Sequence, residues 1–403
     1  MSRKHLLFIL SVSYFFIFFT RPAYCQEAKK TNPFLKFFKS IDYTSRISTE
    51  YDTNIFLKEN DEDSDLKQIF TQTAVYRLPK ENHYFQMGYT GNYTYYHEEA
   101  TGILGQSANV VYSYRPFNGF SIGIRDDYNW LQDSNISTTL GDQVLALGYK
   151  QNTPSAQIKY EINPHYTLIT DMLYQKLDVR DGDNDDYIDN ERLGVRGLLE
   201  YNFTPEKNLA AFAGFSRRQI AFPQISEKSS VSQRTFTGLT EKIPALLLMS
   251  QEAGFENIDM DDENNASDNN IDIKVSVETI FSLYTKISAS LNYNARNPSL
   301  RRQYTQYGAK VASFGISHVL NPKASVFLDY SHERQSFDSN DVTAGQLQED
   351  QKTAINTVKG GISRKLKNWL TSDFSYEYTN RVSDFANESY TDHLFGVSLT
   401  AKY

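Results

Sequence analysis

The sequence predicts an all-β chain: a transmembrane, antiparallel, up-and-down β-barrel of about 18 strands, with 16 as the other count. Three observations lead there. Runs of about ten residues alternate apolar and polar from residue 41 to the end, which is the period of a strand with one greasy and one wet face. The links between the runs alternate short and long. Aromatic residues are abundant, with 28 Tyr and 26 Phe against 2 Trp among 403 residues, and membrane barrels carry aromatic girdles at both interfaces. Mean hydropathy is −0.53, and no long apolar run follows the first 25 residues. That excludes helical membrane spans and leaves a barrel open, because only every second residue of a barrel strand faces lipid.

The chain divides into residues 1–25, 26–40 and 41–403. Arg3 and Lys4 precede an apolar run from Leu6 to Phe19, and Ala23-Tyr24-Cys25 precedes Gln26. This is the charged, apolar, small-residue order of a secretory signal peptide. Cys25 is the sole cysteine, so cleavage after it leaves no disulfide framework. The competing reading makes Cys25 the acylated first residue of a lipoprotein, a site that Tyr24 fits poorly. Losing Arg3, Lys4 and Arg21 takes the formal charge from −8 to −11. An exported chain of that charge is a poor partner for nucleic acid. Residues 26–40, with Pro33 and the cluster Phe34, Phe37 and Phe38, form a periplasmic lead.

Within 41–403 the alternation assigns faces. Ile271, Ile273, Val275 and Val277 interleave with Asp272, Lys274, Ser276 and Glu278; Leu193, Val195, Leu199 and Tyr201 interleave with Arg196, Glu200 and Asn202. A dozen or more such runs with a polar second face leave nothing to form the core of a soluble sandwich. The short links carry Pro, Asn or Gly: Leu78-Pro79-Lys80-Glu81, Arg115-Pro116-Phe117-Asn118, Phe203-Thr204-Pro205-Glu206, Asn321-Pro322-Lys323 and Lys367-Asn368. Residues 58–65, 178–191, 256–270 and 336–351 read as long polar loops. Both chain ends in the periplasm require an even strand number. A raw tally gives nineteen; merging the two runs around Gln151-Asn152-Thr153-Pro154 gives 18, and residues 239–255 stay ambiguous.

The last strand closes the set. Phe395, Val397, Leu399, Ala401 and Tyr403 alternate with Gly396, Ser398, Thr400 and Lys402. It resembles the terminal strand of bacterial outer-membrane barrels, which implies that Phe395, Val397, Leu399 and Tyr403 form the signal read by the barrel-assembly machinery. The location expected is the bacterial outer membrane, with its lipid as the surrounding partner.

No motif predicts catalysis. Gly119-Phe120-Ser121-Ile122-Gly123 fits a nucleophile-elbow pattern, but that chemistry needs a strand-to-helix turn and this stretch alternates as a strand. Asp181-Gly182-Asp183-Asn184-Asp185-Asp186 echoes a calcium loop, yet Asp186 replaces the turn glycine and Arg192 the bidentate acid. His332 and Glu333 near Asp329 are the closest approach to an acid–base group; a polar lumen wall is the better reading. No cofactor and no metal are expected. Residues expected to line the pore are Arg125, Arg196, Glu200, Lys274, Glu278, Lys286, Asp373 and Glu377. Both signs among many Ser, Thr, Asn and Gln make a hydrated wall without strong ion selectivity. Phe212 and Phe56 fall inward on this reading and could stack on sugar rings.

Tyr51-Asp52-Thr53-Asn54-Ile55-Phe56, followed by Ile69-Phe70-Thr71-Gln72, resembles the opening hairpin of the β-barrel porin 2 family, found with exopolysaccharide and capsule secretion systems. The resemblance implies a barrel of about 18 strands that lets a secreted polysaccharide out, beside a periplasmic polysaccharide export protein. The family brings no catalytic residues. A general diffusion porin for small hydrophilic solutes is the alternative; a barrel-embedded hydrolase and a structural surface barrel are the others.

Overall fold

A computed structural model describes residues 40–57, 63–132, 138–140, 143–145, 148–180, 189–204, 206, 208–223, 229–243, 246–260, 267–298, 306–337, 351–385 and 388–402. The expected signal peptide, nearly all of the lead, the acidic segment 181–188 and Tyr403 lie outside these residues. The strands are β1 (Ile41–Asp52), β2 (Asp65–Pro79), β3 (His83–Tyr96), β4 (Thr101–Phe117), β5 (Phe120–Leu131), β6 (Thr138–Leu140), β7 (Gln143–Leu145), β8 (Gly148–Glu161), β9 (Tyr166–Arg180), β10 (Asn190–Asn202), β11 (Leu209–Ala221), β12 (Ser230–Ile243), β13 (Leu247–Met260), β14 (Ser267–Ser282), β15 (Thr285–Pro298), β16 (Gln306–Asn321), β17 (Ala324–Phe337), β18 (Gln351–Lys367), β19 (Leu370–Ser383) and β20 (Tyr390–Lys402). Eighteen form one sheet, while β6 and β7 pair only with each other. Every neighbour in the large sheet is antiparallel and β1 pairs with β20, with Ile47 opposite Leu399 and Tyr51 opposite Phe395. The sheet therefore has no edge and is a closed barrel.

Ile47, Met87, Ile124, Leu193, Phe255, Ile273, Leu328 and Val397 are all 40–60% exposed, and cross-strand register puts them on one face. In water that much exposed apolar surface would aggregate; around a closed barrel it is a lipid-facing belt. Aromatic girdles frame it. Near the short turns stand Phe117, Tyr160, Tyr166, Tyr201 and Trp369; toward the other end stand Tyr51, Tyr128, Tyr293 and Tyr330. The chain is an outer-membrane β-barrel of porin size, with its short turns, the start of β1 and the end of β20 at one rim.

Parity resolves as the merged count required. β8 runs unbroken through Gln151-Asn152-Thr153-Pro154. Pro154 brings no N–H, and the ladder to β9 skips Thr153 and Pro154 without changing register. The ambiguous stretch 239–255 holds the end of β12 and most of β13, joined where Leu246 N donates to Ile243 O at 3.0 Å. Three expected loops are shorter than the sequence suggested. Glu256 pairs with Asn270 and Asn257 with Asn269, and strands likewise claim 178–180, 190–191, 336–337 and 351. A bilayer needs about 9–11 residues per tilted strand, and these strands have 12–17. The ladders continue beyond the bilayer, where polar residues such as Asn257 and Asn269 enter the outward face and the alternation fades.

Candidate functional site

The inner face identifies itself by its contacts. Arg196 Nη2 on β10 reaches Glu252 Oε2 on β13 at 3.0 Å. Three strand spacings are about 14 Å along a sheet, so the two side chains meet only on the concave side. Arg234 on β12 sits at the centre. It bonds Glu252 at 2.7 Å and Asp272 on β14 at 2.6 and 2.7 Å. Lys274 adds a 3.8 Å contact to Glu252, and Arg218 pairs with Glu256 at 3.0 Å. The guanidinium carbons of Arg196 and Arg234 lie 4.6 and 4.9 Å from the centre of the Phe236 ring, an added cation–π attraction.

Alternation places the eight residues expected at the pore on this inner face. Arg196 and Lys274 share Glu252. Glu278 pairs with Lys286 at 2.8 Å, and Glu377 with Lys359 at 2.7 Å. Asp373 accepts from Ser398 Oγ at 3.2 Å. Arg125 donates to Asp127 two residues along β5, and Glu200 stands in register with Thr167 and Phe212. Sequence reading missed Arg218, Arg234, Glu252 and Glu256, the centre of the network. Alternation names a face, but only curvature decides which residues three strands apart will meet.

Phe212 does face inward, but it is covered: its ring packs edge-on to Phe236 with centroids 6.3 Å apart, and both are under a tenth exposed. Stacking on sugar is closed to it. Phe56 packs with Leu131 on the cluster of Ile55, Tyr96 and Ile103. His332 faces outward, its Nδ1 2.8 Å from Asn356 Oδ1, while Glu333 and Asp329 alternate to the inner face. These three cannot act together as an acid–base group. Ser121 lies within β5, which runs on as a strand to Leu131 in place of the helix that the elbow needs.

The segment 51–56 is built into the seam. Thr53 N donates to His393 O at 3.1 Å, His393 N donates back to Thr53 Oγ1 at 2.9 Å, and Asn54 Nδ2 donates to Thr391 O at 3.0 Å. Asp52 accepts from Asn54 N and Lys67 Nζ. Asn54→Ala is expected to cost about 1–3 kcal/mol, the penalty of an unmatched buried polar group, read as a lowered urea midpoint of the folded barrel. An unchanged midpoint would show that the segment does not hold the seam.

Burial varies along the axis. At the long-loop end the inward residues Ile258, Gln335, Phe337, Thr353 and Arg381 are essentially inaccessible. Nearer the short turns, Lys274, Glu278 and Lys286 are about half exposed. The charged wall is therefore wet toward the short turns, and its charges are largely paired. Paired charges of this kind exert little net pull on either ion sign.

No family model matches this chain, and no curated protein matches it. Among solved structures it is similar to OccK2 (OpdF) of Pseudomonas aeruginosa, in complex with glucuronate, at 10% identity over 90% of this chain and 98% of that one, with TM-score 0.49. It is similar to OccK1 (OpdK) of the same bacterium at 10% identity over 91% and 99%, with TM-score 0.47. The siderophore receptor PirA of that bacterium gives 8% identity over 90% and 80%, with TM-score 0.45. The fold itself rests on the closed ladder.

Proposed function

We propose that the barrel is a conduit for hydrophilic solutes across the outer membrane. The observation that carries this is the inner wall, where paired charges from Arg196 to Asp272 and half-exposed Lys274, Glu278 and Lys286 face a common interior. The buried pairs satisfy one another, but Lys274, Glu278 and Lys286 stay about half exposed, which keeps water on that wall as a conduit needs. The purified protein in planar bilayers is expected to give discrete conductance steps, with a reversal potential near zero in a salt gradient. Folded protein that inserts and gives no steps would overturn the reading.

A second reading is export of an extracellular polysaccharide beside a periplasmic export protein. It is favoured by the resemblance at residues 51–56 and by the deep burial of inward residues at the long-loop end. It separates from a general diffusion porin by gene deletion. Lost surface polysaccharide with an intact envelope supports export; unchanged polysaccharide leaves diffusion of small solutes.

A further inference from the structure

The wall facing the charged network differs in kind. Between β2 and β8 the inner face forms a recess of about 500 Å³ lined by Thr90, Ser107, Asn109, Arg125, Asp127 and Asn129. That is within the range of roughly 300–1,000 Å³ typical of ligand pockets. Its register is continuous: Thr90 stands opposite Ser107 and Ser107 opposite Asn129, while Asn109 stands opposite Asp127.

We propose that this recess is a subsite for a neutral, polyhydroxylated solute, a saccharide unit passing through the conduit. The inference rests on the conduit reading and names its cargo class. Three features of the recess support it. Its hydroxyl and amide groups both donate and accept, which suits sugar hydroxyls and gives no preference for an ion. Its one pair of charges is internally neutralised, since Arg125 Nη2 donates to Asp127 Oδ1 at 2.9 Å. A guanidinium beside a carboxylate still offers a donor and an acceptor side by side, the pairing that two adjacent hydroxyls need.

The third feature is Asn109. Its Oδ1 is buried and takes no hydrogen bond, because the amide lies across Gly88, where a β-carbon would strike it. An amide with an unmatched oxygen has little holding it in place, and turning it toward the recess lets a ligand hydroxyl supply the missing donor. Glycine at 88 is also what lets that amide lie there. By contrast, Glu252 and Asp272 across the barrel are already matched by Arg234. Tyr89 also borders the recess, but register turns its side chain to the outward face, so the polar groups alone hold the solute and binding should be weak and release fast, as conduction requires.

The test uses the full barrel, folded in detergent, with maltohexaose as ligand in equilibrium dialysis and, in bilayers, as a blocker of current. Wild type is expected to bind it, and Ser107→Val with Asn129→Leu to weaken binding by about tenfold, the worth of roughly one strong hydrogen bond. Gly88→Ala, whose β-carbon would displace the Asn109 amide, serves if that double variant fails to fold. Absent binding to wild type, or binding unchanged in a folded variant, overturns the subsite. A charged oligogalacturonate binding tighter than maltohexaose overturns its neutral character. A barrel that conducts without binding sugar loses only the subsite; one that binds sugar at the recess without conducting loses only the conduit.

Discussion

Arg234→Ala is expected to cost the folded barrel about 3–5 kcal/mol, the range for breaking one side of a buried ion pair. Arg234 is the shared cation of Glu252 and Asp272, and the Asp272 side chain is only 4% exposed. Removing the guanidinium leaves the nearly dry Asp272 carboxylate without its cation, while Glu252 keeps Arg196 at 3.0 Å and Lys274 at 3.8 Å. The measurement is the urea midpoint of the refolded protein in detergent, followed by the shift in electrophoretic mobility that separates folded from unfolded barrels. The companion variant decides the cause. Arg234→Met with Glu252→Gln and Asp272→Asn removes all three charges together, and it should recover most of the loss. If the single substitution is silent, the network is solvated and the pairing holds nothing.

Gly238→Ala should be the next most damaging change. Phe212 of β11 lies over Gly238 of β12, and Phe236 of β12 lies over Gly214 of β11, a reciprocal fit of rings into gaps. A β-carbon at 238 would meet both the Phe212 ring and the backbone oxygen of Gln251. The ring can swing; the carbonyl belongs to the ladder between β12 and β13 and cannot. Overpacking of this kind costs about 1–3 kcal/mol. Adding Phe212→Leu should return only part of that, since it frees the ring contact and leaves the carbonyl in place. Full recovery in the double variant would show that the ring alone set the constraint.

Much of this architecture was legible before any coordinates. Alternation in stretches such as Ile271-Asp272-Ile273-Lys274 told lipid from lumen because a strand has only two faces, and one of them must be apolar here. The count of 18 followed from parity at Gln151-Asn152-Thr153-Pro154. The turn after Ile243 was harder. The flanking residues Ile243, Pro244, Ala245, Leu246, Leu247 and Leu248 are nearly all apolar, so the usual polar marker of a turn was missing. Loop lengths were overestimated for the opposite reason: beyond the bilayer, strands such as the end of β13 pair through Asn257 and Asn269 and look like loop. The candidate site was legible as a wall and not as a network. Arg217 and Arg218 are adjacent, and only the register, Gly194 opposite Arg218, sends the second inward toward Glu256.

The seam between β1 and β20 also sets an order of events in assembly. Its clip joins residues 340 apart, from Thr53 to His393, so one flank of β1 has no partner until the last strand arrives. During that interval the nascent sheet has two open margins, each a template for pairing with another chain. Contacts this distant along the chain make folding slow, because the connecting loop must be closed before the contact returns anything. The backbone bonds between β1 and β20 could form in several registers, but the contacts of Thr53 and Asn54 with residues 391–393 fit one. The final strand thus arrives at a margin that already carries a latch, and the same short segment that resembles a family signature decides where the cylinder shuts.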